Sequence, residues 1–267
     1  MKNYDIPNLN NYKILEDKME ITHDANIVND KTKVQLLYDL FQSIEKNSSN
    51  FNLIKKHLYK NKELLEEFIS NIKQYDDISK YRNQEIYFNS KLALSLSDQF
   101  IPVHCESDGN CLFRAIALLL FADQKFYFVV KLLSIYVILS NEFLFKSIIK
   151  VNGYAKEVPI EKVICETSRR NEWGNELNIF SISILLDRTI LSFVPSKDNR
   201  KYVIHDYELK KNNRRPILIG CHDCHFFPIL TRDYNVNLDK EIIYLSGFNL
   251  TKKEENLFLD ISKKEKK

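Results

Sequence analysis

Asp108-Gly109-Asn110-Cys111-Leu112-Phe113-Arg114-Ala115 is the stretch that decides how this chain is read. Asp, Gly and Asn are turn formers, and Gly109 is free to take φ > 0. From Leu112 to Phe121 almost every residue is apolar, with Ala, Leu and Ile dominating, so the pattern predicts a buried helix. Cys111 then falls in the first helical turn, where unpaired backbone N–H groups and the helix dipole favour negative charge. That position is expected to lower the thiol pKa and favour the thiolate. It also leaves backbone donors facing outward, as an oxyanion requires. A buried structural cysteine is the plainer alternative, but the polar turn favours a nucleophile.

The composition bounds the rest. The chain has 267 residues, 44% of them hydrophobic and 12% aromatic, enough for a substantial core. Its 39 basic and 36 acidic residues leave a net charge of +3, which makes no electrostatic case for nucleic acid or an anionic membrane as a partner. Five cysteines, an odd number, fit a reducing compartment better than a disulfide scaffold. Met1 to Leu9 lack the apolar run of an ordinary secretory signal. The longest apolar stretch, Phe126 to Leu139, is interrupted by Lys131 and too short to span a bilayer. A cytoplasmic location is therefore expected, with delivery into a host cell by a non-classical route as the alternative.

Working outward in both directions gives three regions. Residues 1–95 read as a helical N-terminal extension behind a polar lead-in over 1–30. Val34, Leu37, Tyr38, Phe41 and Ile44 recur at helical spacing, as do Leu58, Leu65, Phe68, Ile69 and Ile72. The Asn47-Ser48-Ser49-Asn50 break between them suggests an αα-hairpin, serving as a packing element or a partner-binding one. From 98 to 232 the texture changes. Gln99 to Val103 is a short apolar approach, Gln124 to Ile149 one or two buried helices, and Glu161 to Arg170 another short helix. Thr189–Val194, Ile217–Gly220 and Phe226–Leu230 read as strands, with Tyr202–His205 a fourth candidate. Pro228 suits an edge or a bulge better than an interior strand. Residues 233–267 form a C-terminal segment with a charged tail. Helices first and strands later predict an α+β fold with a small central sheet.

A cysteine nucleophile needs a base, usually histidine, and a group to orient it. Of six histidines, His23 and His57 belong to the extension, and His104 is a bystander or a cleft residue. The cluster Cys221-His222-Asp223-Cys224-His225-Phe226-Phe227-Pro228-Ile229 is different, because it joins two predicted strands. A histidine at a strand start is held rigidly. On an extended chain Asp223 and His225 share a face, so Asp223 is the candidate to orient the ring.

The octapeptide resembles the nucleophile motif of the ovarian-tumour (OTU) cysteine proteases, which have a papain-type fold. Trp173-Gly174-Asn175-Glu176-Leu177 resembles that family's central Trp-Gly block, and the 217–219 strand followed by His225-Phe226 its C-terminal histidine block. Order and spacing agree over roughly residues 98–232. The resemblance implies a deubiquitinase that hydrolyses isopeptide or peptide bonds after the C-terminal glycine of ubiquitin, without metal or other cofactor, its partner being ubiquitin, polyubiquitin chains or, alternatively, a ubiquitin-like modifier. It makes Cys111 the nucleophile, His225 the general base and Asp108 the aspartate whose loop builds the oxyanion hole. Asn110, Trp173 and Gly174 are implied on the substrate side, where Trp173 either walls a narrow channel for the Gly-Gly tail or anchors the core. Many family members carry Asp or Asn two residues after the histidine, and this chain has Phe227. The third triad member is thus Asp223, another acid, or none.

Other readings stand beside this one. An OTU-like module that binds ubiquitin but cuts weakly or not at all is suggested by Phe227. Cys221-His222-Asp223-Cys224-His225 also matches the C-x-x-C-H haem attachment pattern and offers zinc-like spacing. Haem attachment needs an exporting, oxidising setting, and zinc needs a second ligand pair, for which only His104 and Cys105 offer themselves.

Overall fold

The predicted helix behind the octapeptide forms as α4, Cys111–Phe121, and all of its residues are buried. It can be apolar all round because it lies between two layers, each of which takes one of its faces. The computed structural model describes residues 31–73, 100–121, 123–151, 158–193, 202–205 and 216–231. The lead-in over 1–30 with His23, the boundary placed near residue 95 and the segment 233–267 lie outside the described residues.

Before α4 come α1 (Lys31–Lys46), α2 (Phe51–Lys60), α3 (Lys62–Lys73) and the short strand β1 (Phe100–Pro102). After it, a 3-10 turn at Gln124–Phe126 leads into α5 (Tyr127–Ser140), α6 (Glu142–Val151), α7 (Ile160–Thr167) and α8 (Glu176–Leu186). The last elements among the described residues are β2 (Ile190–Phe193), β3 (Tyr202–His205), β4 (Ile217–His222) and β5 (His225–Thr231). The fold is α+β, as the run of helices followed by strands implied.

The N-terminal helical pattern resolves into three helices rather than a hairpin of two. Asn50 caps α2 by accepting a hydrogen bond from the Leu53 N–H at 3.1 Å. Asn61 then ends α2, its side chain donating to the His57 carbonyl at 2.8 Å, so the second predicted helix breaks there. These helices do not stand apart from the rest. Leu37, Phe41, Ile44, Leu58 and Phe68 share one buried cluster with Leu112, Phe113, Leu132, Ile135 and Ile179. α1 packs on α5, α2 on α7, and α3 on α5 and α8. The extension is thus part of the same core that holds α4. Among the described residues no single helix is long and apolar enough to cross a membrane.

The sheet order is β1-β5-β4-β2-β3, parallel only between β2 and β4. β5 is therefore an interior strand, contrary to the expectation drawn from Pro228. The proline is tolerated because the strand changes partner there. Residues 225–228 pair with β4 and 229–231 with β1, so the missing proline N–H falls where one ladder hands over to the other. The Pro228 carbonyl accepts from the Val103 N–H at 2.9 Å. Phe100, Val103, Ala115, Leu118, Phe193, Leu218, Phe227 and Ile229 form a second, smaller cluster between sheet and α4. That cluster draws the start of β5 over the N-terminus of α4.

Candidate active site

Cys111 opens α4 and is buried, at 5% exposure. Its Sγ accepts a hydrogen bond from the Phe226 N–H at 3.4 Å, across 115 positions of sequence. The nucleophile block and the histidine block are thus brought together, with His225 next to the residue that touches the thiol. Burial raises the Cys111 pKa, and the N–H groups of Phe226, Leu112 and Cys111 only partly oppose this. The expectation of a lowered thiol pKa is corrected on that ground. The helix N-terminus does act on the sulfur, but loss of water outweighs it. Desolvation also lowers the His225 pKa, His104 lowers it further, and Asp108 pulls the other way. Both shifts favour the neutral forms, thiol and imidazole.

Asp108 braces the turn. Its carboxylate accepts from the Asn110 N–H at 2.8 Å, the Asn110 side-chain amide at 3.0 Å and two Arg114 nitrogens at 3.1 and 2.8 Å. Burial works against the charge, but these bonds from Arg114 and Asn110 more than offset it and hold the pKa below the usual value. Arg114 also pairs with Glu106 at 2.8 Å and lies 4.5 Å from the centre of the Tyr127 ring. The Cys111 N–H, a candidate oxyanion donor, rests 3.1 Å from the Asp108 carbonyl.

Gly109 is required for a reason other than the one the turn suggested. A Cβ there would stand 1.6 Å from the Asn171 carbonyl oxygen, so a second segment lies against the turn. The left-handed residue is Asn171, at φ 59°. Asn110, expected on the substrate side, is fully buried. Its amide donates to Asn171 Oδ1 at 2.9 Å, and its Oδ1 accepts from the Asn171 N–H at 3.2 Å and from Lys131 Nζ at 2.8 Å.

Trp173 follows this segment and is 59% exposed, so it is not a core anchor and is available to line a cleft. Gly174 lies against α4, where a Cβ would come within 2.5 Å of Leu112 Cδ2. Asn175 then caps α8 in a reciprocal pair with Asn178. The Trp-Gly block thus passes from an exposed ring at Trp173 to close packing on α4 at Gly174.

Asp223 does not share a face with His225. Asp223 and Cys224 are the two-residue turn of the β4–β5 hairpin, at φ 50° and 63°, the positive values of a type I′ turn. The Asp223 side chain is 83% exposed and pairs with His222 Nδ1 at 3.2 Å. The extended chain expected over 223–225 is instead this hairpin turn. Phe227, at the position of the usual acid, is fully buried, and a Cβ on Gly220 would lie 2.1 Å from its ring. Its ring centre is 6.3 Å from that of His225.

Sequence reasoning missed Lys131, Arg114 and Cys105 as parts of this neighbourhood. Lys131 and Arg114 left a signal, each being a charge within an otherwise apolar run. Cys105 left none. Its thiol lies 3.1 Å from the Phe226 carbonyl, and burial pushes its pKa far up, so it is a second, inert sulfur. Cys221 is likewise pushed up, to about 11, by burial and by Cys224 and Cys111. Among the described residues no three or more His, Cys, Asp or Glu side chains stand close enough together to hold a metal ion.

Fold and site together define an α+β domain with a thiol at a helix N-terminus and an imidazole on the strand that crosses it. No family model matches the sequence, and no curated protein is significantly similar to it. Similar solved structures include the OTU domain of OTUD1, at TM-score 0.43 and 17% identity, over 49% of this chain and 85% of that one. The viral OTU domain protease from Dera Ghazi Khan virus is similar at TM-score 0.42 and 17% identity, over 51% and 83%. An OTU domain in complex with ubiquitin is similar at TM-score 0.36 and 21% identity, over 49% and 69%.

Proposed function

We propose that this protein is a cysteine protease that hydrolyses the bond after the C-terminal glycine of ubiquitin. The observation that carries the reading is the Phe226 N–H on Cys111 Sγ, which joins the two sequence blocks that resemble a nucleophile motif and its histidine partner. Ubiquitin as substrate comes from the resemblance of the three blocks in their order.

From the neutral resting pair, His225 takes the Cys111 proton as the sulfur attacks the glycine carbonyl carbon. The Cys111 N–H exchanges the Asp108 carbonyl for the developing oxyanion. Protonated His225 then gives its proton to the leaving amine, and the C–N bond breaks to leave a thioester. A water deprotonated by His225 attacks that thioester, and the returning proton restores the thiol. Asp108 acts by holding the turn, with no proton moving through it. Trp173 supplies an apolar wall for a tail whose glycines offer only backbone.

A second reading, a ubiquitin-binding module of weak or no activity, is favoured by Phe227 and by the outward-facing Asp223. Incubation with di-ubiquitins of each linkage separates the two. Wild-type protein is expected to release mono-ubiquitin, and Cys111→Ala and His225→Ala to release none. Binding without release by wild type would favour the module.

A further inference from the structure

Lys131 lies in the middle of α5 and is fully buried, in a helix whose buried residues are otherwise nearly all apolar. The catalytic chemistry makes no use of it. A buried ammonium is commonly no better for stability than a well-packed hydrophobe of the same size, so its partners are informative. Its three N–H donors meet three acceptors: Asn110 Oδ1 at 2.8 Å, the Arg169 carbonyl at 2.6 Å and the Glu172 carbonyl at 3.2 Å. Its Nζ also lies 5.1 Å from the centre of the Phe113 ring. One acceptor belongs to the residue immediately before Cys111, and the other two lie in the segment that ends at Trp173.

We propose that Lys131 is a positioning residue: it locks the nucleophile turn and the segment before Trp173 into one unit, fixing the nucleophile and one wall of the cleft relative to each other. The Asn110–Asn171 bridge is the second tie between the same two segments. The backbone packing of Asn171 against Gly109 leaves them no slack. With the ammonium gone, the Arg169 and Glu172 carbonyls lose this donor and Asn110 Oδ1 keeps only the Asn171 N–H. A displacement of about 1 Å at reacting atoms can cost about 100-fold in rate.

This role rests on the proposed protease reading, and the test keeps the two apart. Lys131→Met is compared with wild type on ubiquitin carrying a fluorogenic C-terminal amide, alongside amide hydrogen exchange of the free proteins. The expected result is a kcat lower by about 10–100-fold with KM within about twofold. Exchange should be faster in residues 108–111 and 169–173 and unchanged in α1 and α8. Asn171→Gly is the second variant should Lys131→Met fail to fold. It keeps the positive φ at an exposed position, cuts only the side-chain tie, and should lower kcat by a smaller factor with the same KM. Unchanged exchange in both segments, a loss carried by KM, or a loss that merely tracks the unfolded fraction would overturn the proposal. A wild-type protein that turns over no ubiquitin substrate would refute the protease reading alone, and hydrogen exchange would then decide the role of Lys131.

Discussion

Replacing Phe227 by Asp places an acid where the sequence resemblance to OTU proteases would put one, and the structure predicts that it ruins the protein. The ring is fully buried and packs over Gly220 in the cluster of Phe100, Val103, Leu118, Leu218 and Ile229. Truncating such a ring costs about 3–5 kcal/mol through lost transfer energy and the cavity left behind. A carboxylate in the same place adds a desolvation penalty of several kcal/mol, or stays protonated and useless as an acid. The sum rivals the whole stability of a domain, about 5–15 kcal/mol. Phe227→Leu, which keeps the site apolar, should cost about 1–3 kcal/mol and retain activity. The assay is urea unfolding followed by circular dichroism, with kcat/KM measured on the same samples. A Phe227→Asp protein with the wild-type midpoint, or one faster than wild type, would refute the argument that this position has become a core site.

Three further outcomes follow from the same geometry. Asp223→Ala should leave kcat within about twofold, because an exposed carboxylate paired with His222 contributes little; a loss beyond tenfold would reinstate Asp223 as the orienting group. Gly109→Ala should abolish turnover and lower the melting temperature, since its Cβ meets the Asn171 backbone at 1.6 Å; a wild-type melting curve would show that the two segments can part freely. Activity requires neutral His225 and is lost as pH falls through its pKa, which desolvation, then His104, put below 6.5. The acid limb of kcat/KM should therefore lie below pH 6.5, and a limb above that value would contradict the desolvated imidazole.

Local pattern made much of this molecule readable. The turn before Cys111, the apolar helix behind it and the strands near 190, 202, 217 and 226 all follow from short-range propensity and periodicity. What escaped was set by distance. Lys131 looked like an interruption of an apolar run, and its acceptors lie far along the chain in residues 110, 169 and 172. A lone charge in a helix apolar on every face was the available signal, since such a charge must find partners. Gly109 was read as conformational freedom because close approach by Asn171 has no local trace. Asp223 and Cys224 could have been read as a two-residue turn between strands, but neither is the glycine that usually marks a type I′ hairpin. The raised thiol pKa has no trace in the sequence, because the helix N-terminus is visible there whereas burial of the sulfur is not.

The proposed chemistry has Cys111 attack the ubiquitin carboxyl terminus with His225 as its base. Intact-protein mass spectrometry after incubation with ubiquitin bearing a C-terminal electrophile tests it most directly. Wild type should gain the mass of one ubiquitin, mapped by digestion to Cys111. Cys111→Ala should gain none, and His225→Ala should react at least about 100-fold more slowly. An unmodified wild-type protein, or an adduct that persists in Cys111→Ala, would contradict the account.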